Sequence, residues 1–179
     1  MKKTILILSL IGSSVFGWSQ QQPLYSQFLL NGFLVNPAIA GSNEASPVRL
    51  TARQQWAGIG EGPSTQAISG HTPLGIQNNI GVGGYLYNDK FGPVSRTGVQ
   101  GVFAYHIPVE ANTRLAFGLS LSAFQYKIDE GNLNVINPND AAITGKTQAT
   151  LVPDANFGAY LYNKKYFVGI SAAQLVQFQ

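Results

Sequence analysis

The sequence predicts an all-β protein, an antiparallel up-and-down β-barrel that spans a membrane, and three observations carry that reading. Residues 114–126 alternate cleanly: Leu115, Phe117, Leu119, Leu121 and Ala123 on one face, Arg114, Ala116, Gly118, Ser120 and Ser122 on the other. A strand has a period of two, whereas a helix would place Leu115 and Phe117 on different sides. Charged residues make up only 11% of the chain and glycines number 20, unlike an ordinary soluble domain. After residue 19 no segment approaches the ~20 apolar residues of a spanning helix, so insertion falls to strands. The opposite face has few side chains large enough to fill a sandwich core, so lipid is expected outside and a wet lumen inside.

Residues 1–19 have the form of a secretory signal. Lys2 and Lys3 form the basic end, Ile5 to Ile11 the apolar run, and Gly17 and Ser19 the small residues before a cut after Ser19. Residues 20–46 form an N-terminal arm, apolar through Tyr25, Phe28, Leu29, Leu30, Phe33 and Leu34 and ended by Asn36-Pro37. Short helix and extended arm are both open, and its length suits packing at a barrel end or filling the mouth.

Residues 47–179 carry the barrel signals. Val48, Leu50, Ala52, Gln54 and Trp56 alternate with Arg49, Thr51, Arg53 and Gln55, and a turn cluster over residues 58–64 follows. A weaker strand covers residues 65–72. In the next, Ile80, Val82, Gly84 and Leu86 alternate with Gly81, Gly83, Tyr85 and Tyr87 before a turn at Asn88-Asp89-Lys90. Residues 97–107 and 114–126 form the best-defined hairpin. Residues 129–152, with Asn137-Pro138, read as a long loop, and longer loops of such barrels lie outside. Strands over residues 155–162 and 166–175 complete the set, joined by Asn163-Lys164-Lys165.

Seven strands leave two open edges, whereas bacterial barrels have even strand numbers and closed walls. The expectation is the first half of a larger barrel; the alternative is a missed eighth strand closing a small one. Trp56, Tyr85, Tyr87, Tyr105, Tyr126, Tyr160, Tyr162 and Tyr166 lie near strand ends and suit an aromatic girdle.

Composition excludes several functions. The 11 basic and 8 acidic residues include two lysines in the signal, so no concentrated basic face exists for nucleic acid. Cysteine is absent, which removes disulfides and thiolate metal sites. Asn137, Asn139 and Asp140 could ligate calcium but lack EF-hand spacing. No cofactor or metal is expected. Ser69 and His71 share a strand face without an acid partner, a weak basis for hydrolysis. His106 reads as a polar wall residue, and Gly81, Gly83 and Gly84 as room for bulky neighbours.

Taken in order, Tyr25-Ser26-Gln27-Phe28, Asn36-Pro37-Ala38-Ile39-Ala40-Gly41, Arg53-Gln54-Gln55-Trp56 and Gly62-Pro63-Ser64-Thr65-Gln66 form a specific set. With Asn88-Asp89-Lys90-Phe91-Gly92 and Phe167-Val168-Gly169-Ile170-Ser171, they resemble the PorP/SprF family of type IX secretion system membrane proteins. The resemblance implies a non-enzymatic outer-membrane barrel that supports export or surface attachment of adhesins, including those of gliding motility in the Bacteroidota. It also implies contact with periplasmic, peptidoglycan-linked components. Asn36, Pro37, Gly41, Arg53, Gln55, Trp56, Gly62, Pro63, Thr65, Gln66, Asn88, Asp89 and Lys90 are the candidate partner-contact residues. Three positions apart on one strand, Arg53 would face the lumen and Trp56 the lipid interface. A general diffusion porin is the alternative, predicting conductance without a partner.

Overall fold

A computed structural model describes residues 31–58, 62–75, 77–129 and 147–176. The signal segment, the first part of the arm, and the Asn137-Pro138, Asn139 and Asp140 region fall outside the described residues. Seven strands form one antiparallel sheet in up-and-down order: β1 Val48–Gln54, β2 Ser64–Leu74, β3 Ile80–Phe91, β4 Val94–Glu110, β5 Thr113–Asp129, β6 Thr147–Tyr162 and β7 Phe167–Ala172. The sheet is open between β1 and β7, the geometry of a partial β-barrel. No helix among the described residues is long and apolar enough to cross a membrane, which says nothing of strands.

Several strands run further than their sequence implies. Asn88, Asp89 and Lys90 do not turn; they continue β3, paired with Thr97, Arg96 and Ser95 of β4. The turn comes later, at Gly92-Pro93, with Gly92 at φ +56°. Glycine followed by proline suits a two-residue hairpin whose first central residue needs a positive φ. The supposed loop over residues 129–152 is also shorter at its far end, because β6 starts at Thr147 and pairs with Asp129. β4 and β5 form the expected hairpin, with a bulge between Pro108 and Glu110.

Register sorts the side chains into two faces. The outer one carries Leu50, Ile68, Leu86, Val99, Phe103, Leu119, Leu121, Phe157 and Ile170, each at least 40% exposed. On β4 the outward apolar residues run from Val99 to Val109. Ten residue steps at about 3.3 Å, tilted by about 40°, give a band roughly 25 Å tall, the height of a barrel's lipid-facing belt. Charge follows the same division. Arg49, Arg53, Asp89, Arg96, Arg114 and Asp154 fall on the inner face, while Lys90, Lys127 and Asp129, of outer register, lie at strand ends. Val94 to Gly98, Asn88 to Phe91 and Gln125 to Asp129 extend past the apolar band as a polar rim.

The aromatic girdle does not form as the sequence implies. Tyr85 and Tyr87 stack on each other on the inner face, ring centroids 5.3 Å apart, and Tyr160 and Tyr162 do the same at 5.2 Å. Tyr126 shares the inner register, Trp56 and Tyr166 sit in connections, and Tyr105 faces outward. Proximity to a strand end was the wrong criterion, because parity decides which side an aromatic ring occupies.

Candidate functional site

The inner face is not an open wall. The arm lies across it, near the end that carries the connections at residues 75–79, 111–112 and 163–166. A single helical turn, α1 (Gly32–Val35), leads into a 3-10 turn at Pro37–Ile39. Pro37 suits a first helical position because it has no N–H to satisfy. The Asn36 side chain caps the turn by accepting from the Ala38 N–H at 3.0 Å. A type II turn follows: Ala40 has φ −57° and ψ 126°, Gly41 has φ +75°, and the Ser42 N–H bonds the Ile39 carbonyl at 3.0 Å. Glycine is the residue that tolerates this third position of the turn.

The arm's seat is a row of small residues built by register. Gly81 on β3 pairs with Ala104 on β4, Ala104 with Gly118 on β5, Gly118 with Gly158 on β6, and Gly158 with Ser171 on β7. A side chain at Gly81 would overlap the Ala40 carbonyl, one at Gly118 the Pro37-Ala38 backbone, and one at Gly158 the Asn36 carboxamide. Gly81 therefore makes way for the arm's backbone rather than for bulky side chains of adjacent strands. Gly83 borders the Phe33 ring, while Gly84 faces outward. Phe33 and Ala40 of the arm and Val102 and Ala104 of β4 form a buried apolar cluster between the arm and the sheet.

Polar contacts hold the arm on β1, β2, β4, β6 and β7. The Asn36 Nδ2 donates to the carbonyls of Ala159 on β6 and Ile170 on β7, at 3.0 and 3.2 Å. His106 Nε2 meets the Ala40 carbonyl at 2.8 Å, and its Nδ1 meets the Tyr162 hydroxyl at 3.0 Å. The Gly41 N–H donates to His71 Nδ1 at 3.2 Å. Asn31 accepts at Oδ1 from Ser69 Oγ and Arg49 Nη1. Ser69 and His71, weighed in sequence as a hydrolytic pair, thus both engage the arm. Arg114 closes the adjoining β2–β3 connection by donating to the carbonyls of Gln77 and Asn78.

The sequence candidates separate into two groups. Asn36, Pro37 and Gly41 belong to the arm and are buried. The others gather at the opposite end, about 27 Å away by the eight residue steps from Gly81 to Asp89. There Arg53, Thr65, Asp89, Arg96 and Tyr126 form one inner row across five strands. Thr65 Oγ1 donates to Asp89 Oδ1 at 2.6 Å, and the Arg96 guanidinium lies 4.5 Å from the Phe124 ring centroid. Gln66, Asn88 and Lys90 lie on the other side of the rim; Thr97 Oγ1 donates to Asn88 Oδ1.

Trp56 departs from its expected place. β1 stops at Gln54, and Trp56 adopts φ +52° in the connection, so strand alternation no longer sets its direction. Its ring meets Phe91 edge to face, centroids 6.3 Å apart, rather than joining the outward face of β1. The Gln55 N–H bonds the Pro63 carbonyl at 2.8 Å, and Gln54 Nε2 donates to the Gly62 carbonyl, which closes the base of this connection.

Sequence reasoning weighed His71 only beside Ser69 as a weak hydrolytic pair, and missed His106, Tyr162, Gly118 and Gly158 as parts of one site. Small residues at alternate positions were the available signal, but their alignment into one row needs the register of five strands.

Comparison with curated proteins and with solved structures returned no match. A family match covers residues 18–179, and its description is type IX secretion system membrane protein PorP/SprF. With nearly the whole sequence matched and a barrel-like sheet behind it, the chain belongs to the PorP/SprF family of type IX secretion system membrane proteins.

Proposed function

We propose that this chain forms part of the wall of an outer-membrane β-barrel that serves type IX secretion without catalysis, supporting export or surface attachment of adhesins. The observation that carries the membrane assignment is the outer face. It is apolar over roughly 25 Å, and among the described residues charges of outer register lie at strand ends. The end that carries Gln55, Gly62, Gly92 and Pro93 then faces outward, and the arm and the turns at residues 111–112 and 163–166 face the periplasm, where peptidoglycan-linked components are the expected neighbours. A cleaved signal in residues 1–19 fits this export route.

The rim beyond the apolar band is the surface proposed for partner contact. Trp56 is 62% exposed and Phe91 55%, beside the row of Arg53, Thr65, Asp89 and Arg96. Exposed aromatic rings flanked by arginine are the side chains that most often anchor protein interfaces. The diffusion-porin reading is disfavoured by the arm, which covers the inner face where a conduit would run.

Deletion of the gene, assayed for surface adhesins and for uptake of small solutes, tests the reading. Loss of an adhesin with normal uptake is expected. Normal adhesin display with impaired uptake would replace secretion by diffusion. Trp56→Ala with Phe91→Ala, in a chain that still reaches the membrane, is expected to reproduce the adhesin loss.

A further inference from the structure

The two histidines on the inner face act on one peptide unit. His106 bonds the carbonyl of Ala40, and His71 bonds the N–H of Gly41, which belong to the same Ala40–Gly41 peptide. Their chemistry fixes the hydrogens. A carbonyl only accepts, so His106 Nε2 carries a hydrogen and its Nδ1 is left to accept from the Tyr162 hydroxyl. A peptide N–H only donates, so His71 Nδ1 must be bare.

These contacts respond differently to a proton. A protonated imidazole carries hydrogen on both nitrogens. At His106 that is tolerated, because Nε2 still donates to Ala40 and the Tyr162 hydroxyl can rotate to accept from Nδ1. At His71 it is not, because Nδ1–H would then point at the Gly41 N–H, donor against donor. Gly41 cannot turn away while docked, since it lies against Gly81 and Thr72 in the tight turn. The Phe33 ring packs against His71 at a steep angle, centroids 5.1 Å apart, and carries no lone pair that could accept a second hydrogen. The charged groups that act on the pair are Arg49 of β1 on His71 and Arg114 of β5 on His106; Tyr162 of β6 is the remaining titratable neighbour.

We propose that His71 is a proton-sensitive latch, and that the arm is a strap docked across the inner face when His71 is neutral and released when it is protonated. Docking is therefore complete above the histidine range and lost as pH falls through and below it. Release uncovers the row Gly81, Ala104, Gly118 and Gly158 without disturbing the strand ladders, which the arm does not join. The proposal stands on the arm alone and is independent of the rim assigned to partner contact.

The test uses the full chain folded in detergent micelles. The sequence has no cysteine, so Val35→Cys on the arm and Tyr166→Cys in the β6–β7 connection, both more than half exposed, can carry paired spin labels. A single narrow distance is expected at about pH 8 and a broadened one at about pH 5, on the acid side of the histidine range. Circular dichroism should report unchanged strand content. In the H71N variant, whose Oδ1 can still accept from Gly41 but does not titrate, the narrow distance should persist at both pH values. The H106Q variant removes the other titrating imidazole while its amide can still donate to the Ala40 carbonyl, and it should still broaden in acid. A narrow distance at both pH values in the wild type overturns the latch, as does strand loss in step with the broadening. So does an H71N chain that still broadens only in acid. If H71N is undocked at both pH values, a wild-type response in H106Q supports the latch, and its absence counts against it.

Discussion

Gly118 and Gly158 face each other across the β5–β6 ladder, and the Pro37–Ala38 backbone and the Asn36 carboxamide lie in the space where their side chains would stand. Ordinary strand propensity disfavours glycine, so two opposed glycines would weaken an uncovered sheet. Here they let another backbone approach the ladder closely.

Gly81→Ala and Gly118→Ala are therefore expected to destabilise the folded chain, each by about 1–3 kcal/mol, the usual cost of overpacking a tight site. Gly101 provides the control, because an added Cβ there meets nothing within 4 Å. Gly101→Ala should be within about 0.5 kcal/mol of the parent. Equilibrium unfolding by urea in one detergent or lipid compares all three.

Asn36 has a different role, since its amide donates to carbonyls on both β6 and β7 while its oxygen caps the arm. Asn36→Ala should cost about 1–3 kcal/mol through buried groups left unpaired. Asn36→Asp should cost more, because its carboxylate keeps the cap but presents an acceptor to two carbonyls. Amide exchange should localise the loss of protection to β7.

Tyr162 orients His106 through a single hydrogen bond. Tyr162→Phe keeps the ring, which sits perpendicular to the imidazole at 5.9 Å, and removes the hydroxyl that meets both His106 and Arg114. A loss of about 1 kcal/mol is expected in the same unfolding assay. His106→Ala should cost more, because the buried Ala40 carbonyl then loses its partner.

The apolar band yields a prediction set by depth. Leu119 lies mid-band on the outer face of β5 and is 47% exposed, while Gln125 of the same register lies at the band's edge. Leu119→Arg should destabilise the membrane-folded chain by about 2–4 kcal/mol, and Gln125→Arg by about 0–1. Equal effects in refolding titrations with lipid vesicles would remove the belt assignment.

The strands were legible because each must separate an oily face from a small or polar one, and that constraint repeats every second residue. The strand ends were not, as Asn88 and Asp89 illustrate. Asn and Asp favour turns through side-chain bonds to nearby backbone, but here Thr97 and Thr65 on neighbouring strands engage those side chains instead. Trp56 was misread for a related reason. Alternation assigns a direction only while the backbone stays extended, and β1 ends two residues earlier.

The candidate site shows the same division. Asn36-Pro37 and Gly41 stood out in the sequence as turn chemistry, but nothing local tells which surface the turn meets. His71 and His106 lie 35 positions apart by their numbers, and Gly81 and Gly158 lie still farther apart. By itself the sequence determined an all-β chain with one face for lipid and one for polar and small side chains, because local alternation encodes that choice. Only the tertiary structure decided that the arm crosses the inner face and that two histidines meet at one peptide bond. Those contacts exist only once five strands are in register, a long-range condition that no local pattern contains.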